Sequence, residues 1–498
     1  MTPVNISLDP LENTIANIPN IFPINQAPKA MRPKIAARDI KPIPPPLEDT
    51  KPINRSRLNA IMTRANTPNT LATIEPIYKN HYELLELIFL FNIFKRVIII
   101  KKKIYSGYKT VDRFPILKRF TLSRELDRVP SRQVELSKNE EDRVYEILEK
   151  NIVISFHDHP AVFPEDMNEL MDYIRTGYTA LAYEGLAASG LDAIFDGLLD
   201  GIAMIHGNDP WAWENIVTQI GTRLADLAMQ DMVIKVERLE DIYRAYREGK
   251  IGLILHLEGA PTGLGHDLMK LDVLYGLGVR CIGITYSVGN ELGGGIADKE
   301  DRGLTDLGYL FIERCNELGI LVDLAHVGDK TSLEAIEASD IPMAITHAGA
   351  RSLWPSKRLK PDEVIHALAE KGGVFGIEAA PHTTLTLNHR KHDIEAVMEH
   401  FKYIESLVGI NHVAFGPDTL YGDHVALHKY FRRLLSIDRI IGREGLPEYE
   451  EVEYVDGLEN PSQFINIVRW LVKNGYSDDE IKKVVGENIL RLLNRVWK

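Results

Sequence analysis

The sequence has very few cysteines for its length, and this scarcity excludes one class of protein. Cys281 and Cys315 are the only two among 498 residues, so a disulfide framework cannot stabilise the fold. Both lie in apolar segments, where a thiol packs as an ordinary small core residue. We therefore expect a reducing compartment and predict a cytoplasmic protein.

Other features are also missing, and each would have pointed to a different function. No basic stripe with interleaved aromatic residues occurs, and the net charge is −13, which argues against nucleic acid as a partner. The opening MTPVNISLDP lacks the basic start and apolar run of a secretory signal. No G-x-S-x-G motif offers a nucleophilic serine. Small solutes are the expected partners.

One apolar segment has to be weighed as a membrane anchor. The stretch LLELIFLFNIFKRVIII, residues 84–100, is interrupted by Glu86, Asn92, Lys95 and Arg96. A spanning helix needs roughly 20 mostly apolar residues. We therefore expect no stable membrane insertion and interpret the segment as a helix that lies on a surface or packs in a core.

The chain changes character near residue 125. Residues 1–125 start with a proline-rich and asparagine-rich region, and we predict a partly disordered, poorly ordered N-terminal extension of unknown function. Residues 126–498 alternate apolar strand-like runs with amphipathic helical patterns, the order typical of βαβ units. The candidate strands are 152–156, 191–195, 251–257, 280–285, 320–324, 343–346, 374–377 and 412–415.

Eight βα units predict an α/β fold, namely a (β/α)8 TIM-like barrel. A doubly wound open sheet is the alternative, but it would need a glycine-rich phosphate loop after an early strand, and the sequence has none. Functional groups of a barrel stand at the carboxyl ends of its strands. The residues at those ends are therefore the candidates for chemistry.

Metal-binding residue types recur at the predicted strand ends. The first strand ends in FHDHP, and alternation along an extended chain places His157 and His159 on one side. The ends of the third, fifth, sixth and eighth strands carry Glu258, His326, His347 and Asp418 in that order. Each residue alone could be a helix cap, a hydrogen-bonded core histidine or a turn former. Their shared position favours one joint site.

The residue types at these ends indicate hydrolysis. Four histidines and a glutamate exceed the needs of one tetrahedral zinc ion and suit two ions that share a bridging carboxylate. Such a site lowers the pKa of a bridging water, so that metal-bound hydroxide is available near neutral pH. Asp418 would take the proton of the water and pass it to the leaving group.

Ordered motifs along the barrel resemble the membrane (renal) dipeptidase family of zinc peptidases. The similarity covers roughly residues 130–498 and implies a binuclear-zinc barrel of the amidohydrolase type that hydrolyses dipeptides, with a homodimer possible. The motifs are HxH, HLEG, GVRCIGIT, RGLTDLG, LVDLAHV, ITHAGAR, HVAFGPD and the ending GLENPSQFINIVRWLVKNGYSDDEIKKVVGENILRLL. By position, the resemblance implies that His157 and His159 hold one zinc ion, that His326 and His347 hold the other, and that Glu258 bridges them.

The resemblance also implies roles around the metals. Asp418 falls on the catalytic aspartate of the family, and Arg358 falls on the arginine that grips the substrate carboxylate, although a solvated loop arginine is the simpler alternative. Tyr286 stands where a substrate-facing histidine is expected, and its hydroxyl can donate to a carbonyl or oxyanion, so we predict catalytic and substrate-binding roles for it. Two further departures are HxH in place of HxD, and Ala379 and Ala380 in place of an aromatic pair.

Three functions remain open. The leading hypothesis is a binuclear-zinc hydrolase that cleaves the amide bond of small dipeptides. The second keeps the site but changes the substrate to an N-acyl amino acid or a lactone, because of Tyr286 and Ala380. The third is a non-catalytic metal-binding barrel, and Asp418 argues against it because a binding protein has no use for a proton shuttle.

Overall fold

The computed structural model describes residues 120–175, 179–198, 211–262, 264, 267–381, 383, 385–434 and 453–498. Most of the predicted N-terminal extension, including the apolar segment 84–100, lies outside the described residues. Within the described ranges, no helix is both long enough and apolar enough to cross a membrane.

The strands of the described residues are β1 Ile154–Asp158, β2 Ala161–Val162, β3 Ala180–Leu181, β4 Ala193–Leu198, β5 Val233–Lys235, β6 Ile251–Leu257, β7 Val279–Gly283, β8 Leu321–Asp323, β9 Ala344–Ala348, β10 Val374–Ile377 and β11 Val413–Phe415. Eight parallel strands form the central sheet, in the order β1-β4-β6-β7-β8-β9-β10-β11, while β5 pairs with β6, and β2 and β3 form a separate antiparallel pair. Each of the eight predicted strands overlaps one strand of the central sheet.

Backbone hydrogen bonds join the first and last strands of the sheet. Just past the strand ends, His159 N donates to Thr419 O at 2.8 Å, and Asp418 N donates to His157 O at 3.0 Å. These bonds bring the carboxyl ends of β1 and β11 together, so the sheet closes into a barrel. The predicted (β/α)8 architecture is confirmed.

Helices cover the outside of the barrel. The helix Asp306–Leu318 begins after Thr305, whose side chain accepts from Gly308 N, and ends at Gly319 with a φ of 75°. The helices are α1 Lys138–Lys150, α2 Leu170–Arg175, α3 Tyr183–Ala188, α4 Trp213–Leu227, α5 Leu239–Glu248, α6 Met269–Leu277, α7 Asp306–Leu318, α8 Asp329–Ala338, α9 Asp362–Glu370, α10 Ile394–Val408, α11 His424–Leu434, α12 Ile465–Lys473, α13 Asp478–Lys482 and α14 Asn488–Val496.

The two ends of the barrel differ in chemistry. A buried apolar cluster joins strand residues such as Phe156 and Cys281 to Ile489, Leu492 and Leu493 of helix α14. This cluster fills the barrel with apolar side chains, and burying such side chains is the main stabilising contribution in a core of this kind. At the carboxyl ends of the strands the barrel instead buries polar and ionisable side chains, among them His157, Glu258 and His347.

Residues just before the predicted domain boundary contact the barrel. Ser123 N donates to Phe163 O at 2.9 Å, and the carboxylate of Glu125 accepts from Gly185 N at 2.9 Å. The boundary at residue 125 stays a prediction, but residues 120–125 pack with the barrel.

Candidate active site

The predicted metal-binding side chains meet at the carboxyl end of the barrel. His157 lies in β1, His347 lies in β9, and His159, Glu258 and His326 lie within three residues of the ends of β1, β6 and β8. All five side chains are buried, with at most 5% of any residue exposed. Closing the barrel therefore brings together residues that are far apart in the sequence.

Glu258 lies between two pairs of histidines. The Nε2 atoms of His157 and His159 are 3.4 Å apart, and those of His326 and His347 are 3.0 Å apart. One carboxylate oxygen of Glu258 lies 3.6 Å from His159 Nε2, and the other lies 3.4 Å from His326 Nε2. This is the arrangement that a bridging carboxylate requires.

Gly197, at the end of β4, fixes the orientation of the first pair. His159 Nδ1 donates to Gly197 O at 2.9 Å, so the lone pair of neutral His159 is on Nε2, which faces the site. A Cβ atom at Gly197 would lie 2.6 Å from a ring carbon of His157 and of His159. Only glycine fits here without displacing the two rings.

The buried carboxylate of Asp323 orients two more histidines. It lies 3.3 Å from His256 Nε2, and His256 Nδ1 lies 3.1 Å from His157 Nδ1. Asp323 therefore faces one ring nitrogen of His256, and the other ring nitrogen of His256 faces His157. On the other side, Thr346 Oγ1 donates to Asp323 at 2.8 Å and lies 2.8 Å from His347 Nδ1. The Nδ1 atoms of His157 and His347 therefore both contact protein groups outside the site, while their Nε2 atoms face the site.

Asp323 and His256 were not identified from the sequence. Both are polar residues inside apolar strand segments, GLILHLEG and ILVDLAHV, and each precedes a predicted ligand by two or three positions. Protein groups that hold the far nitrogen of a ligating histidine fix its tautomer and raise its basicity. A buried polar residue shortly before a predicted ligand is the sequence signal that could have revealed them.

The histidines are held in the neutral form that binds metals. Burial lowers the pKa of His157 to about 4 and lowers the pKa of His326 and of His347 well below the usual range. His326 is also positioned by Ser287, whose hydroxyl lies 3.2 Å from its Nδ1. Neutral imidazole offers a lone pair to a metal without first losing a proton.

The donor set fits two metal ions. His157, His159 and Glu258 form one group whose ligand atoms all lie within 4.8 Å of one another, and Glu258, His326 and His347 form another. Glu258 belongs to both groups, and His157, His347 and Asp418 form a third. Imidazole nitrogen together with carboxylate oxygen is a donor set that zinc accepts.

Asp418 lies beside the first group, as predicted. Its Oδ1 is 3.0 Å from His159 Nε2 and 3.4 Å from His157 Nε2. Although burial raises the pKa of Asp418, the adjacent imidazoles of His157 and His159 hold this pKa well below its usual range. Asp418 and Ser287 also have left-handed backbones, with φ of 58° and 59°. Such strain is typical of functional sites, where it aims a side chain.

The predicted substrate-binding residues lie at the edge of the site. The ring of Tyr286 is centred 4.4 Å from the ring of His326, so its hydroxyl-bearing side chain borders the second ligand group. Arg358 is buried, and its Nη1 donates to His347 O at 3.1 Å. The roles assigned to Tyr286 and Arg358 stay predictions.

Glu378 is a further buried acid that the sequence did not single out. It directly follows β10, is 1% exposed, and places a carboxylate oxygen 2.6 Å from Nη2 of Arg358. The seventh barrel strand therefore also ends in an ionisable side chain. Its position immediately after a predicted strand was the available signal.

Known proteins similar to this chain include peptidases and hydrolases. A dipeptidase of Claviceps purpurea, tcpJ, is 26% identical over 279 residues, which are 54% of this chain and 58% of that protein. The crystal structure of an amidohydrolase from Pseudomonas aeruginosa is 26% identical, has a TM-score of 0.57, and matches 71% of this chain and 99% of its own. A metallo peptidase from Rhodobacter sphaeroides, liganded with a phosphinate mimic of the dipeptide L-Ala-D-Ala, is 19% identical with a TM-score of 0.54 and matches 70% of this chain and 100% of its own.

The family model for membrane dipeptidases, Peptidase family M19, matches residues 218–429 and 447–498. These ranges make up more than half of the chain. The chain spans less than two thirds of the curated relatives that it matches. The match includes Glu258, His326, His347, Arg358 and Asp418. By its sequence, and in agreement with its barrel, the chain belongs to the membrane dipeptidase family.

Proposed function

We propose that this protein is a binuclear-zinc hydrolase that cleaves the amide bond of small dipeptides. The observation that carries this proposal is Glu258, whose carboxylate belongs to two ligand groups at once, with Asp418 beside one of them. The family and the dipeptidase names of the relatives support a peptide substrate. The dipeptide mimic bound by the Rhodobacter sphaeroides protein supports it as well.

His157 and His159 would hold one ion, His326 and His347 the other, and Glu258 would bridge. Two zinc ions bound here would lower the pKa of a water molecule and polarise the carbonyl of the substrate. The hydrogen bonds to the outer nitrogens hold the imidazoles in place, so little reorganisation is needed when the ions and the substrate bind.

Proton transfer falls to Asp418. Its carboxylate is held in the ionised form beside the histidines and can accept the proton of the attacking water. As the carbon–nitrogen bond breaks, Asp418 returns this proton to the nitrogen of the leaving amine, so the products are a free acid and a free amine. The hydroxyl of Tyr286 would donate to the carbonyl oxygen while negative charge develops on it.

A substrate panel assayed with zinc-loaded protein tests the proposal. We expect release of amino acids from dipeptides, with slower or no turnover of N-acyl amino acids and lactones. Faster hydrolysis of a lactone or an acyl amino acid would favour the second hypothesis. Zinc binding without hydrolysis of any member of the panel would favour the non-catalytic barrel.

A further inference from the structure

A further pair of histidines lies on helix α11. His424 begins this helix and His428 follows four residues later, so both side chains lie on one face of its first turn. Their Nε2 atoms are 2.9 Å apart, and the centres of their rings are 4.7 Å apart. Among the described residues, neither histidine belongs to the three potential ligand groups around the catalytic centre. The pair is therefore distinct from the predicted zinc ligands.

The separation of the two nitrogens suits a single metal ion. In the two predicted ligand pairs the Nε2 atoms are 3.4 Å and 3.0 Å apart. Bonds of about 2.0 to 2.1 Å from one ion to two imidazoles place the nitrogens roughly 2.8 to 3.4 Å apart, depending on the angle at the metal. A hydrogen bond between the two rings has a similar length, so the distance permits either a proton or a metal ion between them.

The helix turn that carries the pair is held in place by the residue before it. Oδ1 of Asp423 accepts from Ala426 N and from the hydroxyl of Tyr454, both at 2.8 Å, and Asp423 also pairs with Arg128. These contacts fix the start of α11 against a distant part of the chain. Two donors that are already fixed relative to each other lose little conformational entropy when they bind an ion.

His424 can act as a neutral donor. It is 4% exposed, and burial together with the neighbouring His428 lowers its pKa well below the usual range. Its Nδ1 atom is buried and has no hydrogen-bond partner among the described residues, so no acceptor there fixes the tautomer, and the lone pair can lie on Nε2, facing His428. His428 is partly exposed, which gives an ion a path from solvent.

We propose that His424 and His428 form a third metal site, which binds one divalent ion of the late transition metals through their two Nε2 atoms. Water molecules would complete the coordination. With only two ligands from the chain, the ranking of ions follows their intrinsic affinity for nitrogen, so Cu²⁺ should bind more tightly than Ni²⁺ or Zn²⁺. Zinc fills the groups that share Glu258 first, because they offer more ligands. This inference does not rest on the proposed function.

Copper binding to the zinc-loaded full-length chain tests the proposal. Cu²⁺ is added, free metal is removed by gel filtration, and bound copper and zinc are counted by elemental analysis. We expect one copper ion per wild-type chain with an unchanged zinc content. Electron paramagnetic resonance of the bound copper should show two imidazole ligands. Absence of bound copper, or a spectrum with fewer than two imidazoles, would overturn the proposal.

Variants then identify the two ligands. His428→Gln removes the partly exposed donor and His424→Gln removes the buried one. Contacts beyond the ligands themselves contribute about 10- to 100-fold to metal affinity, so loss of a direct ligand should raise the Kd for Cu²⁺ at least about tenfold. His366→Gln is the matched control, because His366 is an exposed histidine on helix α9. It should leave the Kd unchanged.

The outcomes separate this site from the catalytic centre. Equal copper binding by wild type, His428→Gln and His424→Gln would indicate an adventitious ion only and would overturn the proposal. If His424→Gln does not fold, His428→Gln and the spectrum of the wild-type chain still decide. A chain that holds fewer than two zinc ions, but loses its copper in His428→Gln, would contradict the binuclear site and support the third site.

Discussion

The substitution Asp418→Asn separates proton transfer from metal binding. Asparagine keeps the size of the side chain, and it is also among the residues that best tolerate a left-handed backbone such as the φ of 58° found here. The backbone that aims residue 418 should therefore be preserved. What is lost is a basic oxygen that lies 3.0 Å from His159 Nε2 and 3.4 Å from His157 Nε2.

The expected magnitude follows from this loss. Positioned acid–base groups contribute roughly 10²- to 10⁴-fold, which corresponds to about 3 to 5 kcal/mol in the activation barrier. We expect kcat to fall by this factor. Zinc content should stay at the wild-type value, because Glu258 and the four histidines are all retained. Asp418 also forms a potential ligand group with His157 and His347, which is why zinc is measured beside kcat.

The assay measures kcat with a dipeptide and zinc content by elemental analysis on the same preparations. Asp423→Asn is the control, because Asp423 follows in the same loop but contacts Arg128 and Tyr454. It should keep near-normal kcat. An Asp418→Asn protein with kcat within threefold of wild type, at full zinc content, would refute the proton-transfer role. Loss of zinc in this variant would show that Asp418 is a ligand instead.

Three further predictions concern the surroundings of the site and the stability of the fold. Tyr286→Phe removes the hydroxyl proposed to contact the carbonyl oxygen, and kcat should fall roughly 10²- to 10³-fold, whereas an unchanged kcat would exclude the contact. Asp323→Asn should weaken zinc binding roughly 10- to 100-fold in a chelator competition. The reason is that His256 and Thr346, which contact the Nδ1 atoms of His157 and His347, both lose the charged carboxylate that holds them. Unchanged affinity would contradict this role. Burial lowers the pKa of His400 to about 4, so the unfolded state binds the proton first, and stability present above pH 6.5 is lost as the pH falls from about 6.5 to about 4. Over this window the free energy of unfolding should fall by about 3 kcal/mol more in wild type than in His400→Gln, as measured by urea unfolding, and parallel pH profiles would contradict it.

The strands were predictable because a strand buried on both faces has a continuous apolar sequence. Such runs mark the eight strands of the central sheet. Strand β5, Val233–Lys235, was not predicted, because a run of three residues is too short to show a period. It pairs with the first half of β6, while β7 pairs with the second half. The two-residue strands β2 and β3 are too short to carry any period.

The ligands were predictable from one rule, because polar residues at the ends of barrel strands converge. The groups that support them were not. Asp323 contacts Thr346 in the neighbouring strand β9 and His256 in β6, two strands away, and the register of those strands is set only when the barrel closes. The contact of Glu378 with Arg358 likewise depends on the path of the loop after β9, which sequence periodicity does not describe.

A zinc titration tests most directly whether two metal ions share Glu258. Metal-free protein is titrated with zinc by calorimetry, and bound zinc is then counted by elemental analysis. We predict two ions per wild-type chain and, for Glu258→Gln, weakened binding of both ions with loss of hydrolysis. A single ion in wild type at saturating zinc, or two tightly bound ions with near-normal hydrolysis in Glu258→Gln, would contradict the shared carboxylate.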